Sequence, residues 1–174
     1  MTRLVVDMAG CLPGVQVSLN GADIPVSSFE EYCKLYLPKR GAASSLSLAC
    51  NMNKRWQLAI APSPDGDFAH ASFVNGMSTS RGGTHVVAVA DQIAKALADA
   101  ANKRLPSGAR VTTTQARSKL FLFLNTLVPN PSFDSQVKEH LTTPVDALGR
   151  DWVVPKKVLK EAAGREELVA PLVE

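Results

Sequence analysis

A chain of 174 residues has the size of one ordinary domain, able to bury a real core but without room for several catalytic domains. Its 45% hydrophobic and 20% charged residues exclude a disordered or fibrous polymer. Nineteen basic against sixteen acidic residues, a formal charge of +3, exclude a histone-like tail, so any nucleic-acid contact must be local. The apolar runs Val86 to Ala90 and Leu120 to Leu124 fall far short of the ~18 residues of a membrane span. The opening MTRLVVDMAG has no apolar core or cleavage site of a secretory signal. Cys11, Cys33 and Cys50 are odd in number and widely spaced; they suit a reducing compartment and read as inert thiols rather than disulfides or zinc ligands.

In chain order, Val15 to Leu19 alternate with polar neighbours and run into Asn20-Gly21, a hairpin signal ahead of Ile24-Pro25-Val26. Ser27 or Ser28, with Glu30 or Glu31 three residues on, reads as a capping box for a short helix ending near Pro38. Gly41 to Ser45 is a loop. Leu46 to Asn51, Arg55 to Ala61 and Ala69 to Asn75 read as strands separated by turns at Met52-Asn53 and Ser63 to Asp67, which suggests an antiparallel meander. Gly76 to Gly83 reads as a sharply turning loop. A long helix then begins with Thr84 as its expected N-cap, with Val86, Val89, Ala90, Ile93, Leu97 and Ala101 on one face.

Leu120 to Val128 is apolar on both faces and is expected to be a central strand at the heart of the core. Pro129-Asn130-Pro131 ends it, Asp134 to Leu141 is expected to form a helical turn, and a last helix starts near Pro155 with Val158, Leu159 and Ala162. The C-terminal part reads as exposed and charged. Strands on one side and helices on the other give an α+β fold.

Charge is unevenly spread. Residues 100–133 hold Lys103, Arg104, Arg110, Arg117 and Lys119 and no acid, a +5 segment that leaves −2 for the remainder. The turn Asn102 to Gly108 ends the long helix, where basic side chains suit the helix dipole; a solvated helix end and a phosphate-backbone contact both fit it. Lys138, next to Gln136, follows a proline-bounded turn, and either a surface ion pair or a phosphate would satisfy it. His70, His85 and His140 show no metal-ligand spacing. The Gly76 to Gly83 stretch matches no phosphate-loop pattern, and no nucleophile elbow or paired carboxylates can be argued from spacing. Metal ligands and a complete catalytic set are therefore not expected.

Two long segments, SFVNGMSTSRGGTHVVAVADQIAKAL (residues 72–97) and FLNTLVPNPSFDSQVKEHLTT (residues 123–143), resemble the transducer domain of type IIA DNA topoisomerases, in the eukaryotic branch rather than that of bacterial gyrase. Arg3, Asp7, Gly10, VQVSLNG, FEEYCKLYL and NKRWQLAIA extend the resemblance over essentially the whole chain, so residues 1–174 are expected to be one transducer domain. The resemblance implies a mixed, largely antiparallel sheet backed by helices, like the second domain of a small-subunit ribosomal protein. It implies that a GHKL-type domain on the N-terminal side binds ATP with magnesium and that a DNA-cleavage core follows.

The transducer's Gln-Thr-Lys loop matches Gln136, Val137 and Lys138. By this resemblance Lys138 contacts the terminal phosphate and Gln136 supports it, while Val137 lacks the hydroxyl of the family's threonine. The family's DNA-contacting loop matches Asn102, Lys103 and Arg104, with Leu105 and Pro106 making it less basic than the lysine runs of relatives. Double-stranded DNA, the enzyme's own ATPase and core domains, a homodimeric parent and a nuclear or other DNA-containing compartment follow from the same resemblance. No GHKL motif, acidic metal-binding module or DNA-cleaving tyrosine is recognised. The chain alone is therefore expected neither to hydrolyse ATP nor to cut DNA, as one excised domain or a truncated reading frame. The other reading is a stand-alone, non-catalytic nucleic-acid-binding module of the same fold.

Overall fold

The computed structural model describes residues 2–39 and 44–173. In chain order it forms α1 (Thr2–Cys11), β1 (Ser18–Leu19), β2 (Ala22–Asp23), α2 (Phe29–Lys34), β3 (Leu48–Asn51), β4 (Trp56–Pro62), β5 (Ala69–Val74), β6 (Met77–Ser78), α3 (Thr84–Asn102), α4 (Thr113–Ser118), β7 (Leu120–Thr126), α5 (Lys156–Gly164) and α6 (Glu166–Val169), with 3-10 turns at Val145–Leu148 and Ala170–Leu172. Most of the expected Gly41 to Ser45 loop lies outside the described residues. Among the described residues no helix is long and apolar enough to cross a membrane.

The strand with the most apolar sequence takes the middle of the sheet. Every residue of β7 is buried, and the order is β3-β4-β7-β5-β6. β7 pairs antiparallel with β4 and parallel with β5. This corrects the meander: the turn after β4 carries the chain across one strand's width, and β7 fills the gap between β4 and β5. A parallel neighbour requires a long crossover, supplied here by α3 and α4. The sheet is mixed and largely antiparallel, as expected.

Helices cover both faces, not one. Leu58, Ile60, Leu122 and Leu124 pack under α3, α5 and α6. Ala59, Ala61, Phe73, Phe121 and Phe123 face α1 and α2. The alternation along β4 and β7 that sends neighbours to opposite sides is the strand's two-residue period. On the second face, Gly10 lets α1 sit against Tyr32, where a Cβ would come within 2.4 Å of the ring. The Tyr32 hydroxyl donates to Asp7 at 2.7 Å. Arg3, Asp7 and Gly10 are spaced i, i+4, i+7, so they share one face of α1.

Other expectations are corrected by backbone detail. The Asn20-Gly21 hairpin forms with both residues at positive φ, and Ser28 caps α2 through the Glu31 amide. Asn75-Gly76, also both at positive φ, makes a second hairpin, so part of the expected loop is β6. The N-cap of α3 is Gly83, not Thr84. Asp134 to Leu141 is not helical: Leu141 bridges to both Gly83 and Phe133, which holds this stretch open. The C-terminal part is not merely exposed and charged, because Leu168, Val169 and Leu172 are buried in the core under α3.

Candidate functional site

Beyond β7, two prolines lead the chain into a closed loop. The amide of Asp134 donates to His140 O at 3.2 Å and that of Thr142 to Ser132 O at 2.8 Å, so residues 135–139 form a tip with its ends tied together. Gln136, Val137 and Lys138 all sit at this tip. Gln136 is exposed, Val137 is 67% exposed and Lys138 is half-buried. Lys138 adopts φ 61°, the left-handed region, which costs a side-chain-bearing residue about 1–2 kcal/mol. Its amide donates to Ser135 O at 3.1 Å. Such strain persists only where the surroundings enforce it, and it concentrates at functional positions.

The base of the loop is sewn to the start of α3. Leu141 donates to Gly82 O at 3.0 Å, Thr84 N donates to Leu141 O at 3.1 Å, and Arg81 N donates to Glu139 O at 3.0 Å. The Thr84 hydroxyl donates to Thr143 O at 2.7 Å. This seam needs glycine: at Gly83 the φ is 140° and a Cβ would lie 2.4 Å from Leu141 O. Beneath it lies a buried polar chain. Ser72 and Thr79 share a hydrogen bond of 2.7 Å, and Thr79 reaches His85 Nε2 at 3.2 Å. His85 is fully buried and its Nδ1 has no partner among the described residues. Burial, helped by the nearby charges of His70 and His140, pushes its pKa down to about 3, so it is neutral near pH 7.

The other end of α3 carries the basic loop, and nineteen residues of helix set the two loops about 28 Å apart. The structure does not bring the two sets of predicted residues together; it places them at opposite ends of one helix that is buried along one face. Asn102 donates to Val111 O at 3.0 Å and accepts from Val111 N at 2.7 Å. Its carboxamide is thus spent on closing the loop, a use that competes with the expected DNA contact. Arg104 pairs with Glu166 at 2.7 Å. Arg117 pairs with Asp91 at 3.1 Å and stacks over Phe68 at 4.7 Å. Of the five cations of the +5 segment, Lys103, Arg110 and Lys119 have no carboxylate partner among the described residues. Asn102, Lys103 and Arg110 line one shallow groove with Asp99 and Ala109. Arg110 is therefore a member that sequence spacing alone does not join to Lys103; folding the loop back through Asn102 and Val111 does so.

Among the described residues no three carboxylate, imidazole or thiol groups lie where they could hold one metal ion. Two of the thiols are shielded from solvent: Cys11 and Cys33 are buried, and burial, aided by Asp7, pushes the Cys11 pKa up to about 12.

Comparison with known proteins finds relatives that match nearly the whole chain in sequence and fold. The family profile described as DNA gyrase B matches residues 28–166. The chain is 38% identical over 167 residues to DNA topoisomerase 2-alpha of Mus musculus, covering 94% of this chain and 11% of that protein. Among solved structures, the ATPase and transducer domains of DNA topoisomerase II from Balamuthia mandrillaris superpose with a TM-score of 0.88 at 37% identity, over 99% of this chain and 42% of that one. The ATPase region of Saccharomyces cerevisiae topoisomerase II gives 0.83 at 32% identity, over 99% and 44%. The chain thus spans about a ninth of the length of the curated relative.

Proposed function

Because the chain belongs to the DNA gyrase B family of type IIA topoisomerases, we propose that residues 1–174 are the transducer domain of an ATP-dependent, eukaryotic-type topoisomerase II. Its parent acts on double-stranded DNA as a homodimer in the nucleus. The observation that carries this reading is the seam: a strained lysine loop bonded to one end of α3, with unpaired cations at the other end.

Lys138 is the phosphate-contacting group. A lysine ammonium is a compact charge on a flexible stem, carried here on the loop tip. Set against the terminal phosphate of ATP bound in the neighbouring domain, it stabilises charge that builds during phosphoryl transfer. Gln136 supplies an amide donor beside it. Val137 supplies no hydroxyl, so the loop relies on Lys138, Gln136 and its own backbone. When the terminal phosphate leaves, the attraction holding the tip is lost and the loop can relax. That displacement is delivered through the Leu141 seam to Gly82, Gly83 and Thr84 and along α3. At the far end, Lys103 and Arg110, with Arg104 where it releases Glu166, meet the DNA backbone without reading sequence. No step is assigned to magnesium in this chain.

In the ATP-hydrolysing enzyme that carries this domain, Lys138→Ala is expected to lower kcat roughly 100-fold, the scale of removing one charge-stabilising donor. Steady-state turnover against ATP concentration measures it, and unchanged kcat would remove Lys138 from the mechanism. A stand-alone nucleic-acid-binding module is favoured only by Val137, and it predicts DNA binding indifferent to ATP.

A further inference from the structure

We infer that Arg81 is a positioning residue for Lys138, gripping both sides of the loop from the start of α3; this rests on the reading of Lys138 as the phosphate-contacting group. The question it answers is what keeps Lys138 in a left-handed conformation. The local bond from its amide to Ser135 O shapes the tip but does not fix the tip relative to the rest of the domain.

Arg81 makes three contacts that do. Its guanidinium donates to Asp134 Oδ2 at 2.8 Å, on the entering side of the tip. Its amide donates to Glu139 O at 3.0 Å, on the leaving side. Its carbonyl oxygen lies 3.1 Å from His140 Nδ1, an arrangement that requires the proton on that nitrogen. One residue therefore touches positions 134, 139 and 140 while Lys138 lies between them. Arg81 directly precedes Gly82-Gly83, so the residue that frames the loop is covalently the lead-in to α3.

The ion pair itself is solvent-facing, with Arg81 at 63% and Asp134 at 27% side-chain exposure. Exposed pairs contribute little to stability. Its consequence is geometric: it sets where a flexible ammonium is delivered, and misplacing a reacting group by about 1 Å can cost roughly 100-fold in rate. Arg81 and Lys138 should then behave as one unit, because positioning has no value once the positioned group is gone.

The test is a double-mutant cycle on ATP turnover in the enzyme that carries this domain, with Arg81→Ala, Lys138→Ala and both together. Arg81→Ala is expected to lower kcat roughly ten-fold or more with a smaller change in KM, Arg81→Lys to restore most of it, and Arg81→Ala to cost nothing further in the Lys138→Ala background. Asp134→Asn, which keeps the side chain's size and removes its charge, should reproduce the loss if Arg81→Ala folds poorly. If Lys138→Ala is impaired but Arg81→Ala and Asp134→Asn are silent, or their losses multiply with that of Lys138→Ala, the role of Arg81 is overturned while the reading of Lys138 stands. If Lys138→Ala is itself silent, both fall.

Discussion

His85 shows how a single side chain records the physics of its surroundings. Its imidazole is fully buried and, among the described residues, bonds only to Thr79, through Nε2. Its pKa, pushed down to about 3, lies below the ordinary value near 6.5. The unfolded chain therefore takes up a proton between pH 6.5 and 3 that the folded chain refuses. The contribution is fully present above 6.5 and is lost as pH falls through this window, by about 1.4 kcal/mol per pH unit at most. Urea unfolding at pH 7 and pH 5 should show a larger fall in stability for the wild type than for His85→Gln, which cannot titrate; equal falls would assign the acid sensitivity to other groups. None of this is visible in the residue's spacing. Three histidines without ligand spacing read as structural or surface residues, and only the fold tells which of them is sealed. Lys138 presents the same contrast. Its resemblance to a phosphate-contacting lysine is legible, but its left-handed backbone is not, because lysine has no preference that announces it.

The elements were legible where one local rule dominates. The face of α3 carrying Val86, Val89, Ile93 and Leu97 is buried as its period requires, and β7 is central because it has no polar face to show to water. Other elements were missed although their signals were present. Asn75-Gly76 repeats the hairpin signal of Asn20-Gly21, and Thr112 with Gln115 forms a complete capping box for α4. Two failures have a different origin. Strand order depends on which strand fills the gap between β4 and β5, and the cap of α3 depends on Leu141, 58 residues away. Both are tertiary choices that override local preference. The two bonds from Asn102 to Val111 likewise join positions that no local motif links. Asn102→Ala should lower stability by about 1–3 kcal/mol in denaturant unfolding and leave the DNA affinity of the folded variant at fixed salt unchanged. Weaker DNA binding by the folded variant at fixed salt would instead support a DNA contact from Asn102.

For the molecule as a whole, net charge conceals more than it tells. The +5 segment is partly neutralised by Asp91 and Glu166, residues from outside it, so the free positive charge narrows to Lys103, Arg110 and Lys119. Among the described residues α3 is a long helix, buried along one face, that touches the seam at its first turn and the basic loop at its last. A rigid rod between a strained loop and a cationic loop is the physical form of coupling proposed here, and it gives reciprocal expectations for the two ends. The deciding measurement is the stimulation of ATP turnover by duplex DNA in the enzyme that carries this domain, for the wild type and for Lys103→Ala/Arg110→Ala. The coupling predicts that the double variant keeps the turnover seen without DNA but loses most of the stimulation, with a salt dependence shallower by about two phosphate contacts. Full stimulation with an unchanged salt dependence would contradict it.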